Sequence, residues 1–215
     1  MSPTGYEVAA MKNTSLSTSL ILFSLVSCMH VWGHRPIEAE EPPDRYQRAL
    51  HIDRPDVSQV YYGVLEVERP QVWFRFKGEE NQEIYFSVGI PFIERLTNYR
   101  PAIALIGPGL EHSCIDPEQL PFEIPNNNGV AIYTSDGEPR FFHEHVTGTD
   151  SWILIEETQT LPRSGTYYLV AYTQKDPRSG DKLWLTMGRK ERFTLRDLFS
   201  LGRWKREIRT FHEIR

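Results

Sequence analysis

The residues best placed to do chemistry lie in Asp136–His145, DGEPRFFHEH. In an extended chain successive side chains alternate between faces, so His143 and His145 point the same way. Imidazoles at that spacing suit a borderline metal such as copper or zinc. A third candidate ligand is His34, because cleavage after Val31-Trp32-Gly33 would leave it with a free amine beside its imidazole. Two histidines at a strand end also serve as solvated or hydrogen-bonded surface groups. The acidic turns Asp176–Asp181 (DPRSGD) and Asp136-Gly137-Glu138 offer the hard oxygens that calcium takes. Neither has the spacing of an EF-hand, and hairpin turns favour the same residues for backbone reasons.

Other chemistry finds little support. No Ser/His/Asp order, paired-carboxylate spacing, phosphate loop or HExxH commits the chain to hydrolysis or nucleotide chemistry. There are two cysteines; if Cys28 is lipidated or removed, Cys114 stands alone and no internal disulfide is available. Between Ser113 and Ile115, Cys114 reads as a small buried hydrophobe. The net charge of −5 is uneven: residues 189–215 carry nine Lys/Arg against four Asp/Glu, a tail of +5 on a body of −10. An acidic body argues against nucleic acid as a partner, since neutralising phosphates needs a basic surface.

Short β-branched and aromatic runs must position these residues. They cover Gln59–Val67, Gln71–Lys77, Glu83–Gly89, Ala102–Ile106, Val130–Tyr133, Arg140–His145, Ser151–Glu156, Thr166–Thr173 and Lys182–Met187, with Gly, Asn, Asp and Pro between them. Spacings of about ten residues without helical periodicity predict one all-β domain, an antiparallel β-sandwich over 59–193. Alternation puts Val72, Phe74 and Phe76 on one face, and Ile84, Phe86 and Val88 on another opposite Glu83, Tyr85 and Ser87. Thr166–Thr173 is apolar on both faces, as a strand covered on both sides should be. Trp73, Tyr85, Trp152, Tyr167 and Trp184 are candidates for a carbohydrate platform, in competition with the core.

The segments flanking the domain differ in kind. Met11–Cys28 has one lysine, an apolar run from Leu20 to Val26 and then a small residue, the order of an export signal within 1–33, with Met11 the better start. Residues 34–58 read as a linker and lead-in, with Ile37–Pro43 (IEAEEPP) as an acidic tether. Residues 194–215 predict a basic amphipathic helix. Thr194 to Asp197 is close to a capping box, and Trp204, Ile208, Phe211 and Ile214 recur at helical spacing, with Gly202 expected to break or bend the run. That stripe either docks on the sandwich or lies on an anionic surface.

Two resemblances follow from these residues. Leu25-Val26-Ser27-Cys28 resembles a bacterial lipoprotein signal, which implies that Cys28 carries a lipid and begins the mature chain. Cleavage after Gly33 is the competing outcome, and its free His34 would resemble the histidine-brace copper proteins; the two exclude each other. An uncleaved anchor is the third, although serines and threonines dilute the segment below the ~18 apolar residues a span needs. Within Val60–Gly188, the Phe74-x-Phe76, Gly78, Ile84-x-Phe86 hairpin, the Ala102–Pro108 strand and Ser164–Val170 (SGTYYLV) resemble the jelly-roll domains of the pre-peptidase C-terminal type. That resemblance implies a non-catalytic, extracellular accessory module, in some members bound to calcium or another ligand. The chain departs from it in having no attached protease and in its basic C-terminal segment.

The resulting expectation is a lipid-tethered, non-enzymatic β-sandwich on the periplasmic or cell-surface side of a bacterial membrane, binding a protein or glycan and no nucleic acid. It needs no cofactor. The alternative is a periplasmic copper- or zinc-binding protein using His143 and His145, with His34 as an added ligand. Fatty-acid labelling tests the address: the wild type should take up the probe and Cys28→Ala should not, whereas a mature chain starting at His34 would refute lipidation.

Overall fold

The computed structural model describes residues 34–111, 120–125, 128–174, 178, 180–192 and 194–214, so Cys28, Cys114 and Asp176 lie outside the described residues. The chain divides into two units, Met1–Trp32, which lies outside the described residues, and Gly33–Arg215. In the second, the described residues form eleven strands: β1 (Arg35–Pro36), β2 (Leu50–Ile52), β3 (Gln59–Leu65), β4 (Gln71–Gly78), β5 (Glu83–Pro91), β6 (Pro101–Gly107), β7 (Gly129–Tyr133), β8 (Arg140–Glu144), β9 (Thr149–Thr160), β10 (Gly165–Thr173) and β11 (Asp181–Met187). Every run expected to be extended is a strand. They make two sheets, ordered β1-β3-β11-β5-β9-β8 and β2-β4-β10-β6-β7. All pairings are antiparallel except β1 with β3 and β2 with β4.

Alternation fills the space between the sheets. Val72, Phe74 and Phe76 from one sheet meet Ile84, Phe86, Val88, Leu183, Leu185 and Met187 from the other, all buried in one cluster. The outer face of the five-stranded sheet is covered too: Trp73, Ala104, Val170 and Tyr172 pack under Tyr46, Ala49 and Phe122. This explains why β10 is apolar on both faces. Ser87, expected on the solvent side of β5, is buried and hydrogen-bonds Thr186 of β11 at 2.6 Å.

The outer face of the six-stranded sheet is covered by helix α1 (Leu195–Phe211). Thr194 caps it: its hydroxyl accepts from the Asp197 N–H while the Asp197 carboxylate accepts from the Thr194 N–H, which occupies two donors that a helix start leaves open. Trp204 and Ile208 are buried, and the Phe211 ring sits 5.0 Å from that of Tyr62 on β3. Lys182 on β11 donates to the Phe211 carbonyl at 2.8 Å. Gly202 does not break the helix. Nothing lies within 4 Å of a Cβ built there, so it stands on the open side, where an interior glycine costs only about 1 kcal/mol.

The linker reading of 34–58 is corrected. β1 and β2 come from this stretch, and between them the chain stays attached: Trp73 N–H donates to the Pro43 carbonyl at 2.7 Å, and the Gln71 amide donates to the Asp44 carbonyl at 2.7 Å. The physical reason is that β3 and β4 would otherwise each show an open edge of unpaired N–H and C=O groups. An acidic, proline-ended composition says nothing about that need.

One irregularity decides which way β9 faces. Val88 opposes Ile155 and Ile90 opposes Trp152, with a β-bulge between. The extra residue, Leu154, shifts the alternation by one, so Trp152 returns to the core-facing side and Ser151 turns toward α1.

Docking of α1 gives a stability expectation. A chain ending at Ser200 loses two buried apolar side chains, about 3 kcal/mol or more. Its thermal unfolding midpoint should fall clearly; a midpoint equal to that of the full chain would show that the helix contributes nothing.

Candidate functional site

The β8–β9 hairpin gathers the residues with chemistry. Cross-strand pairing sets Phe141 opposite Trp152 and His143 opposite Asp150 on one face, while Phe142 and Glu144 take the other. His143 Nδ1 lies 2.6 Å from the Asp150 carboxylate. His145, one residue beyond the strand, brings its ring to 4.9 Å from that of His143, edge to face. The turn is held from behind. Glu144 accepts from the N–H groups of Val146 and Thr147, at 3.0 and 2.8 Å. Gly148, at φ +65°, donates to the Glu144 carbonyl, and Arg209 of α1 donates to the Thr147 carbonyl at 3.2 Å.

A third aromatic joins from outside the hairpin. Phe92 follows β5, and its N–H donates to the Asp150 carbonyl at 2.9 Å. Its ring lies 5.7 Å from Phe141 and 5.2 Å from Trp152, and Phe141 lies 5.7 Å from Trp152. Phe92 is 53 % exposed and Phe141 50 %. Trp152 roots the group by packing partly against the main core. Phe92 and Phe141 were absent from the sequence-based candidates. Phe141 shares the alternation of His143 and was legible; Phe92 lies beyond a strand end and gave no signal.

Sequence-based candidates fall on both sides of this outcome. His143 and His145 come together as expected. His34 does not complete the set with them: its Nδ1 bonds the Ser58 hydroxyl at 2.6 Å, and burial pushes its pKa down, partly offset by the Glu144 carboxylate. Among the described residues no three His, Cys, Asp or Glu side chains converge as a metal would require. In the acidic turns, Asp136 accepts from Thr134 and Asp181 from the Arg178 N–H. Of the proposed platform aromatics, Trp73, Tyr167 and Trp184 are buried; Tyr85 is stacked under Arg189 at 4.1 Å. Only Trp152 belongs to an open ring cluster.

On the opposite face of β9, Ser151 and His212 form a buried latch. The Ile208 carbonyl can only accept, so its 2.8 Å contact requires a proton on His212 Nδ1. Nε2 is then free to accept from the Ser151 hydroxyl at 3.1 Å, and Trp184 Nε1 donates to the same oxygen at 3.2 Å. Trp184 can lie there because β5 has Gly89, where a Cβ would stand 2.2 Å from its ring. Both members of the pair are closed off from solvent, which makes it a clasp for the helix end.

Comparison with known proteins found no match among protein-family models and none among curated proteins. Among solved structures, one similar chain is the pre-peptidase C-terminal domain of a collagenase from Bacillus anthracis, 16 % identical, TM-score 0.35, covering 65 % of this chain and 92 % of that one. Another is CorA, a surface-associated copper-binding protein of Methylomicrobium album BG8, 9 % identical, TM-score 0.36, covering 66 % and 98 %. No helix among the described residues is long and apolar enough to cross a membrane.

The latch carries a pH dependence. Burial lowers the His212 pKa below its ordinary 6.5, so the unfolded chain binds more protons and stability falls as pH drops below about 6.5. His34 shifts in the same direction. Urea unfolding between pH 8 and pH 5 should show this loss in the wild type, a smaller loss in His212→Gln and the flattest profile with His34→Gln added. Parallel profiles in all three would refute it.

Proposed function

We propose that the chain is an exported, non-enzymatic binding module of the cell envelope, held by a lipid on Cys28, that presents the β8–β9 hairpin face to a glycan. One observation carries this reading: the open Phe92, Phe141 and Trp152 cluster beside the His143–Asp150 pair. Exposed apolar clusters rimmed by polar groups mark interaction surfaces. The rings offer faces to sugar C–H groups, and the imidazoles and carboxylate can exchange hydrogen bonds with hydroxyls at the rim. Size favours a small ligand over a protein. Three partly exposed rings present a few hundred Å² at most, against about 800 Å² per side in a stable protein interface.

The 4.9 Å approach of His143 and His145 supports a second reading, in which this face holds copper or zinc with donors beyond the histidine pair. Both readings are tested on the full chain with a panel of envelope oligosaccharides and with copper. Under the first, Phe141→Ala and Trp152→Ala each weaken oligosaccharide binding about tenfold, and the paired His143→Ala and His145→Ala change leaves most of it. Stoichiometric copper binding lost in that histidine pair, with no oligosaccharide bound by the wild type, would replace the first reading by the second.

A further inference from the structure

Three arginines converge where the β5–β6 and β10–β11 connections meet. Arg95, Arg100 and Arg178 line a pocket of about 380 Å³ with one carboxylate, Asp181, and the amides of Asn98 and Gln174. In a chain of net charge −5 this is a local excess of cations. The nearby counter-charges do not neutralise it. Glu213 is shared, accepting from Arg95 at 2.6 Å and from Lys182 at 2.9 Å. Asp181 is nearly buried, which raises its pKa against the opposing pull of Arg178 and Arg95, so the pocket and its rim set two carboxylates against three arginines and Lys182.

The guanidiniums are also arranged for use. Arg100 Nη1 donates to the carbonyls of Thr97 and Tyr99, at 2.8 and 2.9 Å, which fixes the plane of the group. Its Nε and Nη2 make no hydrogen bond among the described residues, nor does the side chain of Arg178, which faces the Asp181 carboxylate. A planar fork held in place with open donors matches the two oxygens of a carboxylate, phosphate or sulfate. Like charges gathered in one pocket repel, and a bound anion relieves that repulsion.

We propose that this pocket is a binding site for an oxyanion carried by a small ligand, separate from the hairpin face. The open donors of Arg100 and Arg178 grip two of its oxygens, and Arg95 supplies a third cation at the wall. Asn98 and Gln174 add neutral donors for the group that bears the anion.

Isothermal titration of the full chain at low ionic strength, with inorganic phosphate, sulfate and glucuronate as probes, tests the site. At least one should bind saturably, and the strongest of the three identifies whether the source is a phosphoryl, sulfate or uronate group. Arg178→Gln, on an exposed connection, and Arg100→Gln should each weaken binding about tenfold with the melting temperature kept. Lys77→Gln, a cation on β4 bonded to Thr166, should leave it unchanged, as should Phe141→Ala, which reports on the hairpin face alone. No saturable binding of any probe, affinity unchanged in both arginine variants, or an equal loss in Lys77→Gln would overturn the proposal.

Discussion

The bulge between β5 and β9 is the constraint on which the rest of the structure depends. Ile155 and Trp152 both oppose core-facing residues of β5, although they are three apart and strict alternation would put them on opposite faces. Without the extra residue, either Ile155 would leave the core or Trp152 would turn under the helix. The ring cluster, the partner of His143 and the clasp on α1 all come from residues 150–152. A single irregularity therefore assigns one end of β9 to the open ring cluster on one face and to the contact with α1 on the other.

That division gives the hairpin face a supporting layer. A site works best when its groups are fixed by a supporting layer. Glu144 closes the turn that carries His145, Arg209 reaches the same turn from α1, and Ser151 is bound to His212 directly behind Trp152. Phe92 is fixed through its backbone to Asp150. The exposed rings stand on a hairpin backed by a helix, a more ordered platform than a free loop would give.

Local chemistry made the strands legible. Turn residues and alternating hydrophobics specify strands one at a time, which is why every expected run was found and why Thr166–Thr173 could be assigned two buried faces. The capping residues of α1 were readable for the same reason. What escaped depends on pairing between distant segments. The bulge exists only in the register of β9 against β5, and Phe92 reaches the site through a backbone bond to another strand. Residues 34–58 looked like a linker and lead-in, with an acidic tether at Ile37–Pro43, whereas the strands on either side of that run are placed by the edges of β3 and β4. Gly202 looked like a break or bend, but the helix runs through it, with Trp204 and Ile208 buried on the following turns. The histidine pair was legible through alternation; the bond that ties His34 to Ser58 was not.

The lead-in from Arg35 to Ile52 has a consequence for self-association. β1 pairs with two residues of β3 and β2 with three of β4, so a single stretch covers part of an edge in each sheet. A protease that nicked it would uncover β3 and β4 together, two long strands with free backbone groups and apolar neighbours, which is the template for edge-to-edge aggregation. Where it pairs with those edges, its backbone N–H and C=O groups are engaged and less open to the strand-like grip of a protease. The paired residues on either side of the acidic run thus link cleavage of the lead-in to exposure of the two edges.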